Sequence, residues 1–301
     1  METGVIDLAD LAGPFDLQAT VESGQSYLWN RADGTTYETD AAHGGSAWYW
    51  TAAPRVDGDP VVIRVRQQDG RLEWESTVDA VPLLYDLLRL DDDLGAIYEA
   101  SPDLELVARA YDAYEGLRLV SDPPFGSLVS FICSAQMRVS RIHGMQRRLA
   151  EAYGERVTMA GRTYEAYPTP EALAGATEAD LRELSLGYRA PYVQRTAEMV
   201  ASGEADPEAA RGMPYEDARE YLTQFVGVGE KVADCVLLFS LGHLEAVPLD
   251  TWIRSTIEEY YPDCERGSYA ETSRAIRERF GGEYAGYVQT YVFHYLRNGG
   301  E

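Results

Sequence analysis

The sequence predicts an α+β protein, an antiparallel sheet followed by a larger all-helical body. Up to about residue 78, short aromatic and apolar stretches alternate with polar residues, the period of strands. From about residue 80 the apolar period becomes helical. Each regime also carries its own turn signal, QDG at 68–70 in the first and VGVG at 226–229 in the second.

The elements follow in order. VVIRVRQQDGRLEWES (61–76) alternates on both sides of QDG and reads as a β-hairpin. SAWYWTA (46–52) and SGQSYLWN (23–30) read as two further strands. Helical periodicity opens with VPLLYDLLRL, LGAIYEA and LELVARAYDAY, and FGSLVSFICSAQMRVSRIHGMQRRLAEAYG (125–154) reads as one long helical stretch. PEALAG, EADLREL, YVQRTAEMVASG, YEDAREYLTQF, KVADCVLLFSLG, TWIRSTIEEYY, ETSRAIRERFG and YAGYVQTYVFHYLR continue the helices to the C-terminus. The expected division is therefore a β domain at 1–80 and a helical domain at 81–301, with a helical hairpin at about 215–242.

Composition narrows the function classes. No run of 18 apolar residues is present, which argues against a membrane span, and the acidic N-terminal stretch lacks the order of a signal peptide. Three widely spaced cysteines, Cys133, Cys235 and Cys264, fit reduced thiols in a cytoplasm rather than a zinc or iron–sulfur site. A net charge of −24 with a single lysine suits a protein of a high-salt cytoplasm and argues globally against a polyanionic partner. Locally the balance reverses. Residues 126–150 hold four arginines and no acid, an island where a phosphate backbone could approach; the alternative is a solvated helix face.

That single lysine, Lys231, lies in GVGEKVADC. An amphipathic helix, a tight turn with Gly227 and Gly229, and a very apolar second helix make a helix–hairpin–helix pattern. Glycines permit positive φ and close approach of another backbone. Helix-start amides then seat a phosphate without reading bases. Near the positive end of a helix an uncharged amine is favoured over an ammonium, and an uncharged amine can attack a sugar carbon and form a Schiff base. Arginine cannot, which explains why a chain that otherwise uses arginine keeps one lysine here. Nineteen residues on, Asp250 opens TWIRSTIEEYY as a helix N-cap; a capping carboxylate that also faces a cleft can stabilise a sugar cation or take a proton from the lysine.

Together, SGQSYLW (23–29), SFICSAQMRVSRIHGM (130–145), LGYRAPYV (186–193), GVGEKVADC (227–235), AVPLD (246–250) and YAGYVQTYVF (284–293) resemble the eukaryotic-type 8-oxoguanine DNA glycosylase/lyases of the helix–hairpin–helix superfamily. The resemblance runs nearly end to end. It implies a TATA-binding-protein-like sheet domain on a two-lobed helical body. It further implies a cofactor-free, monomeric, nucleoid-associated enzyme acting on double-stranded DNA that contains an oxidised purine.

By position, the resemblance makes Lys231 the nucleophile and Asp250 the group that supports charge at the sugar. Phe293 and Cys235 would sandwich the flipped base, Gln289 would bond its Watson–Crick edge, and the Gly24 carbonyl would accept from N7–H of 8-oxoguanine. Guanine offers an acceptor at N7 where the oxidised base offers a donor, so a fixed carbonyl distinguishes them. Spacing alone reads Cys235 and Phe293 as core, Gln289 as a surface residue and Gly24 as a bend between strands. Arg141, Tyr188 and Arg189 match residues that fill the gap left by the extruded nucleotide and hold the orphaned cytosine. The chain departs from the family at Gln136, where asparagine is usual, and at Trp252, where histidine is usual; both positions belong to the DNA-binding set. No metal is required, although the Thr223, Phe225 and Val228 carbonyls are candidates to hold a monovalent cation. The rival readings are a monofunctional alkyl-base glycosylase of the same fold and a non-catalytic DNA-binding module.

Overall fold

The computed structural model describes residues 1–39, 41–53 and 59–300. Five antiparallel strands form the N-terminal sheet: β1 (Glu2–Asp7), β2 (Asn30–Arg31), β3 (Tyr49–Ala53), β4 (Val61–Gln68) and β5 (Arg71–Ser76), in the spatial order β1-β5-β4-β3-β2. Asp69 and Gly70 link β4 to β5, both with positive φ (51° and 73°), the mirror-image turn whose twist matches the strands. The expected hairpin is therefore present, in the register Gln68↔Arg71.

Strand β4 is buried on both faces because each face has its own cover. Ile63 and Val65 pack with Trp29, Tyr49, Leu72, Leu84 and Leu88, under α1 (Leu17–Glu22) and α2 (Val81–Leu87). Val62 packs the opposite way, with Ala52, Met159, Tyr164 and Ala166. That second cover comes from a two-stranded hairpin, β6 (Arg156–Met159) and β7 (Arg162–Glu165), inside the stretch expected to be helical. Its turn uses Ala160 and Gly161 at positive φ in place of the usual Asn-Gly, so the local signal is weak.

The helical body comprises α3 (Leu94–Ala100), α4 (Glu105–Ala113), α5 (Pro124–Ile132), α6 (Val139–Tyr153), α7 (Pro170–Ala174), α8 (Glu178–Glu183), α9 (Ala190–Ala201), α10 (Tyr215–Leu222), α11 (Glu230–Phe239), α12 (Thr251–Tyr260), α13 (Tyr269–Arg279) and α14 (Ala285–Arg297). Arg118, with no exposed surface, donates to the carbonyls of Arg89, Asp92 and Ala12 at 2.9, 2.6 and 3.0 Å. It thereby ties the start of the body to the N-terminal chain. A buried guanidinium needs such partners to offset its lost hydration.

Two further expectations need correction. SGQSYLWN is no strand: it leaves the C-terminal end of α1, itself unforeseen, and only Asn30 joins the sheet. Gly24 turns the chain at φ +97°, incompatible with a ladder, and the next aromatics diverge, Tyr27 into the helical core and Trp29 into the sheet core. The stretch 125–154 is two helices. Gln136 sits at φ +55° between α5 and α6, in a turn pinned by Arg189, which donates to the Ala135 carbonyl.

Candidate active site

Helix α11 starts at Glu230 after the α10–α11 turn, with Gly229 as its N-cap and no side-chain cap. Of the two hairpin glycines, only Gly227 uses the left-handed region (φ +86°); an added Cβ would fall 2.8 Å from the Tyr192 ring. Gly229 is extended (φ −99°), and a Cβ there would meet no described atom within 4 Å. Among the candidate cation carbonyls, that of Phe225 already accepts from the Val228 amide at 3.1 Å.

Lys231, in the first turn of α11, is half-buried. Its Nζ donates to Ser134 Oγ at 3.1 Å and stands 5.6 Å from the centre of the Phe131 ring. Cys235, one turn further on, is buried, and burial pushes its thiol up to about 12 even with Lys231 beside it. Asp250 caps α12, its Oδ1 accepting from the Ile253 amide at 2.8 Å. Burial raises its carboxyl above the usual range, while the Ile253 amide and Lys231 pull it back. The loop delivering Asp250 is braced from below. The Leu249 amide donates to Tyr269 Oη at 3.1 Å, and Tyr269 donates to Asp234 Oδ2 at 2.7 Å. Asp234 is fully buried on α11, three residues after Lys231, so the helix that presents the amine also anchors the aspartate loop.

The other wall comes from the two ends of the chain. Gly24 follows α1 directly, and a Cβ at that position would lie 2.7 Å from Arg297 Nη1 and 3.4 Å from Phe293 Cε1. Gln25 fixes the next step, donating to the Thr20 and Arg118 carbonyls at 2.8 and 2.7 Å and accepting from the Val120 amide at 2.9 Å. On α14, Gln289 is buried rather than on the surface, and its amide donates to Thr290 Oγ1 at 2.8 Å. Phe293 lies one turn further along, partly buried, with the Arg297 guanidinium 5.4 Å from its ring centre.

These six expected residues, Gly24, Lys231, Cys235, Asp250, Gln289 and Phe293, line one cavity. Tyr27, Phe131, Phe239 and Pro248 add apolar surface and Ser23, Gln25 and Thr290 polar surface, with an amine and a carboxylate at one side. Tyr27, Lys231, Asp250 and Phe293 also border a larger groove, lined further by Gln136, Arg138, Trp252, Arg254 and Arg297. A planar ring fits such walls, and the amine and carboxylate suit attack at a carbon that becomes electron-poor.

The remaining expected residues lie outside the cavity. Trp252 and Tyr188 are exposed, at 46% and 52%, as is Arg141. Arg189 is buried, its guanidinium 4.3 Å from the Tyr188 ring centre. In the arginine island, Arg147 pairs with Glu151 and Arg148 donates to the Leu184 carbonyl, so two of the four arginines are already engaged. Sequence reasoning missed Ser134, Asp234, Tyr269 and Arg297. Ser134 stands within a quoted block and Asp234 beside Cys235, but nothing local marks a residue that meets Lys231 from 97 positions away. Among the described residues, no group of three His, Cys, Asp or Glu side chains could hold a metal, and no helix is long and apolar enough to cross a membrane.

Comparison with known proteins shows the family of the chain. Residues 129–281 match the family model of the HhH-GPD superfamily base excision DNA repair proteins, and residues 9–128 match that of the 8-oxoguanine DNA glycosylase N-terminal domain. A probable N-glycosylase/DNA lyase of Methanothermobacter thermautotrophicus is 31% identical, with 96% of this chain and 95% of that protein covered. The apo crystal structure of the Clostridium acetobutylicum 8-oxoguanine glycosylase/lyase superposes with a TM-score of 0.83 at 26% identity, covering 98% and 96%. Its complex with double-stranded DNA containing cytosine opposite 8-oxoguanine gives 0.80 at 29%, covering 95% and 92%. The chain thus belongs to the HhH-GPD superfamily of base excision DNA repair proteins, in its 8-oxoguanine DNA glycosylase branch.

Proposed function

We propose that this protein excises 8-oxoguanine from duplex DNA and then cleaves the strand, through a covalent intermediate on Lys231. The observation that carries the reading is the placement of the chain's single lysine on the wall of the cavity that Cys235, Gln289 and Phe293 also line, beside the capping Asp250. The Lys231 lone pair attacks C1′ as the bond to the base breaks, and the departing base keeps that electron pair until it is protonated. Asp250 supports the positive charge that develops at the sugar. Opening of the sugar ring, with loss of a proton from nitrogen, gives the imine. Removal of a C2′ proton then expels the 3′ phosphate.

The flipped base would lie between Phe293 and Cys235, with Gln289 at its Watson–Crick edge and the Gly24 carbonyl at N7–H. A neutral Cys235 thiol suits a stacking partner rather than a rival nucleophile. Gly229, where an added Cβ would meet no described atom within 4 Å, fits a helix start that receives a phosphate from outside. Arg141, Tyr188 and Arg189 would attend the gap and the orphaned cytosine, with Gln136 and Trp252 lining the DNA groove beside them.

Borohydride trapping tests this. The full-length chain should form a covalent adduct with an 8-oxoguanine:cytosine duplex, and Lys231→Gln should form none. Excision that persists in Lys231→Gln without an adduct would favour the monofunctional enzyme. Binding with neither cleavage nor adduct would favour the DNA-binding module.

A further inference from the structure

Reading a base by one backbone carbonyl demands that the carbonyl hold still. Its surroundings show how Gly24 is held. Helix α1 has only six residues, so its last carbonyls lack partners within the helix. Arg297 supplies them: Nη1 donates to the Ser23 carbonyl at 2.7 Å and Nη2 to the Glu22 carbonyl at 2.9 Å. Nη2 also lies 3.2 Å from Nδ1 of His294, whose imidazole is pushed down to about 3 by burial and the nearby guanidinium and so stays neutral. On its other side Gly24 is followed by Gln25, whose amide is locked by three backbone groups. The glycine is thus suspended between two clamped neighbours.

The Arg297 clamp reaches both recognition surfaces. Its guanidinium lies against the Phe293 ring, one turn earlier on α14, and a Cβ on Gly24 would collide with it. One side chain therefore spaces the Gly24 backbone from the aromatic platform. We propose that Arg297 is a specificity-positioning residue, which fixes the Gly24 carbonyl and the Phe293 ring at the separation that admits a purine with a donor at N7 and rejects guanine. Arg297 does not itself take part in the chemistry. The inference rests on the base-recognition reading given above.

The test uses full-length protein in the Lys231→Gln background, so that duplexes are bound but not processed. Dissociation constants are measured for 8-oxoguanine:cytosine, guanine:cytosine and abasic-site:cytosine duplexes. Arg297→Met keeps the apolar stem and removes every donor. It should lower the preference for 8-oxoguanine over guanine at least about tenfold, the worth of about one hydrogen bond to a charged group. Affinity for the abasic duplex, which offers no base to read, should fall far less. Arg297→Lys, which keeps a cation but cannot bridge two carbonyls in the arginine's planar geometry, should lose an intermediate share of the preference and decides the matter should the Met variant not fold. A preserved preference in either folded variant, or an equal loss on all three duplexes, overturns the proposal. A Lys231→Gln parent that shows no preference at all overturns the recognition reading itself, and this proposal with it.

Discussion

Lys231 and Asp250 stand 19 residues apart on successive helices, whereas Gly24 and Phe293, on the other wall of the same cavity, are separated by nearly the whole chain. The first pair is placed by local devices: a glycine turn that starts α11, and a cap that starts α12. The second pair is placed by long-range clamps, Arg297 on the α1 carbonyls and Gln25 on Arg118 and Val120. The difference suggests a division of labour. On the proposed mechanism, one wall would perform chemistry on any sugar brought to it, and the other would decide which base brings the sugar there.

Three experiments can break or sharpen this division. Asp250→Asn should slow both base excision and imine formation at a preformed abasic site by about 100-fold, the scale of a lost electrostatic stabiliser. Asparagine remains a good helix cap, so thermal stability should barely move. A variant that melts early yet reacts at the normal rate would reduce Asp250 to a cap. Gly24→Ala introduces a Cβ 2.7 Å from Arg297 Nη1 at φ +97°. It should cut 8-oxoguanine excision by about tenfold, the worth of about one hydrogen bond, while leaving adduct formation on an abasic duplex nearly unchanged. Equal losses on both substrates would erase the distinction between the walls.

The smallest effect is on stability. Two buried carboxyls near the cavity are pushed up to about 7 by burial: Asp234 on α11, and Asp122, whose side chain is bonded to Ser26. Between the ordinary carboxylate range and pH 7 the folded protein then binds more protons at these sites than the unfolded chain does. These two groups therefore make stability fall as pH rises through that window. Asp122→Asn should flatten part of that fall and raise the melting temperature at pH 8 by a few degrees, as about 1 kcal/mol does in a domain of this size. A melting curve with the same pH slope as the parent would remove Asp122 from this role.

Much of the fold was legible because its signals are local. The Asp69-Gly70 turn, the alternation in β4 and β5, and the 3.6-residue period of the helices depend only on near neighbours. The misreadings have one cause. SGQSYLWN is aromatic because Tyr27 and Trp29 enter two different cores, and that density imitates a strand. β6 and β7 escaped notice because their hairpin is defined by its packing on Val62 and Ala52 more than by its Ala-Gly turn. Gln289 reads as a surface residue by spacing, yet it is buried, because the apolar neighbours that enclose the cavity come from the segment after α1, from α5 and from α11.

By itself the sequence determined the order of elements and the chemistry available. One amine lies at a glycine-bounded helix start, with one carboxylate at the next cap, since helix starts and caps are written in a few adjacent residues. Only the tertiary structure decided that Ser134 would meet Lys231, that Tyr269 would brace the Asp250 loop, and that Arg297 would hold the backbone at Gly24. Those contacts join residues scores to hundreds of positions apart. No local period encodes them, because they follow from which faces remain uncovered once both cores have packed.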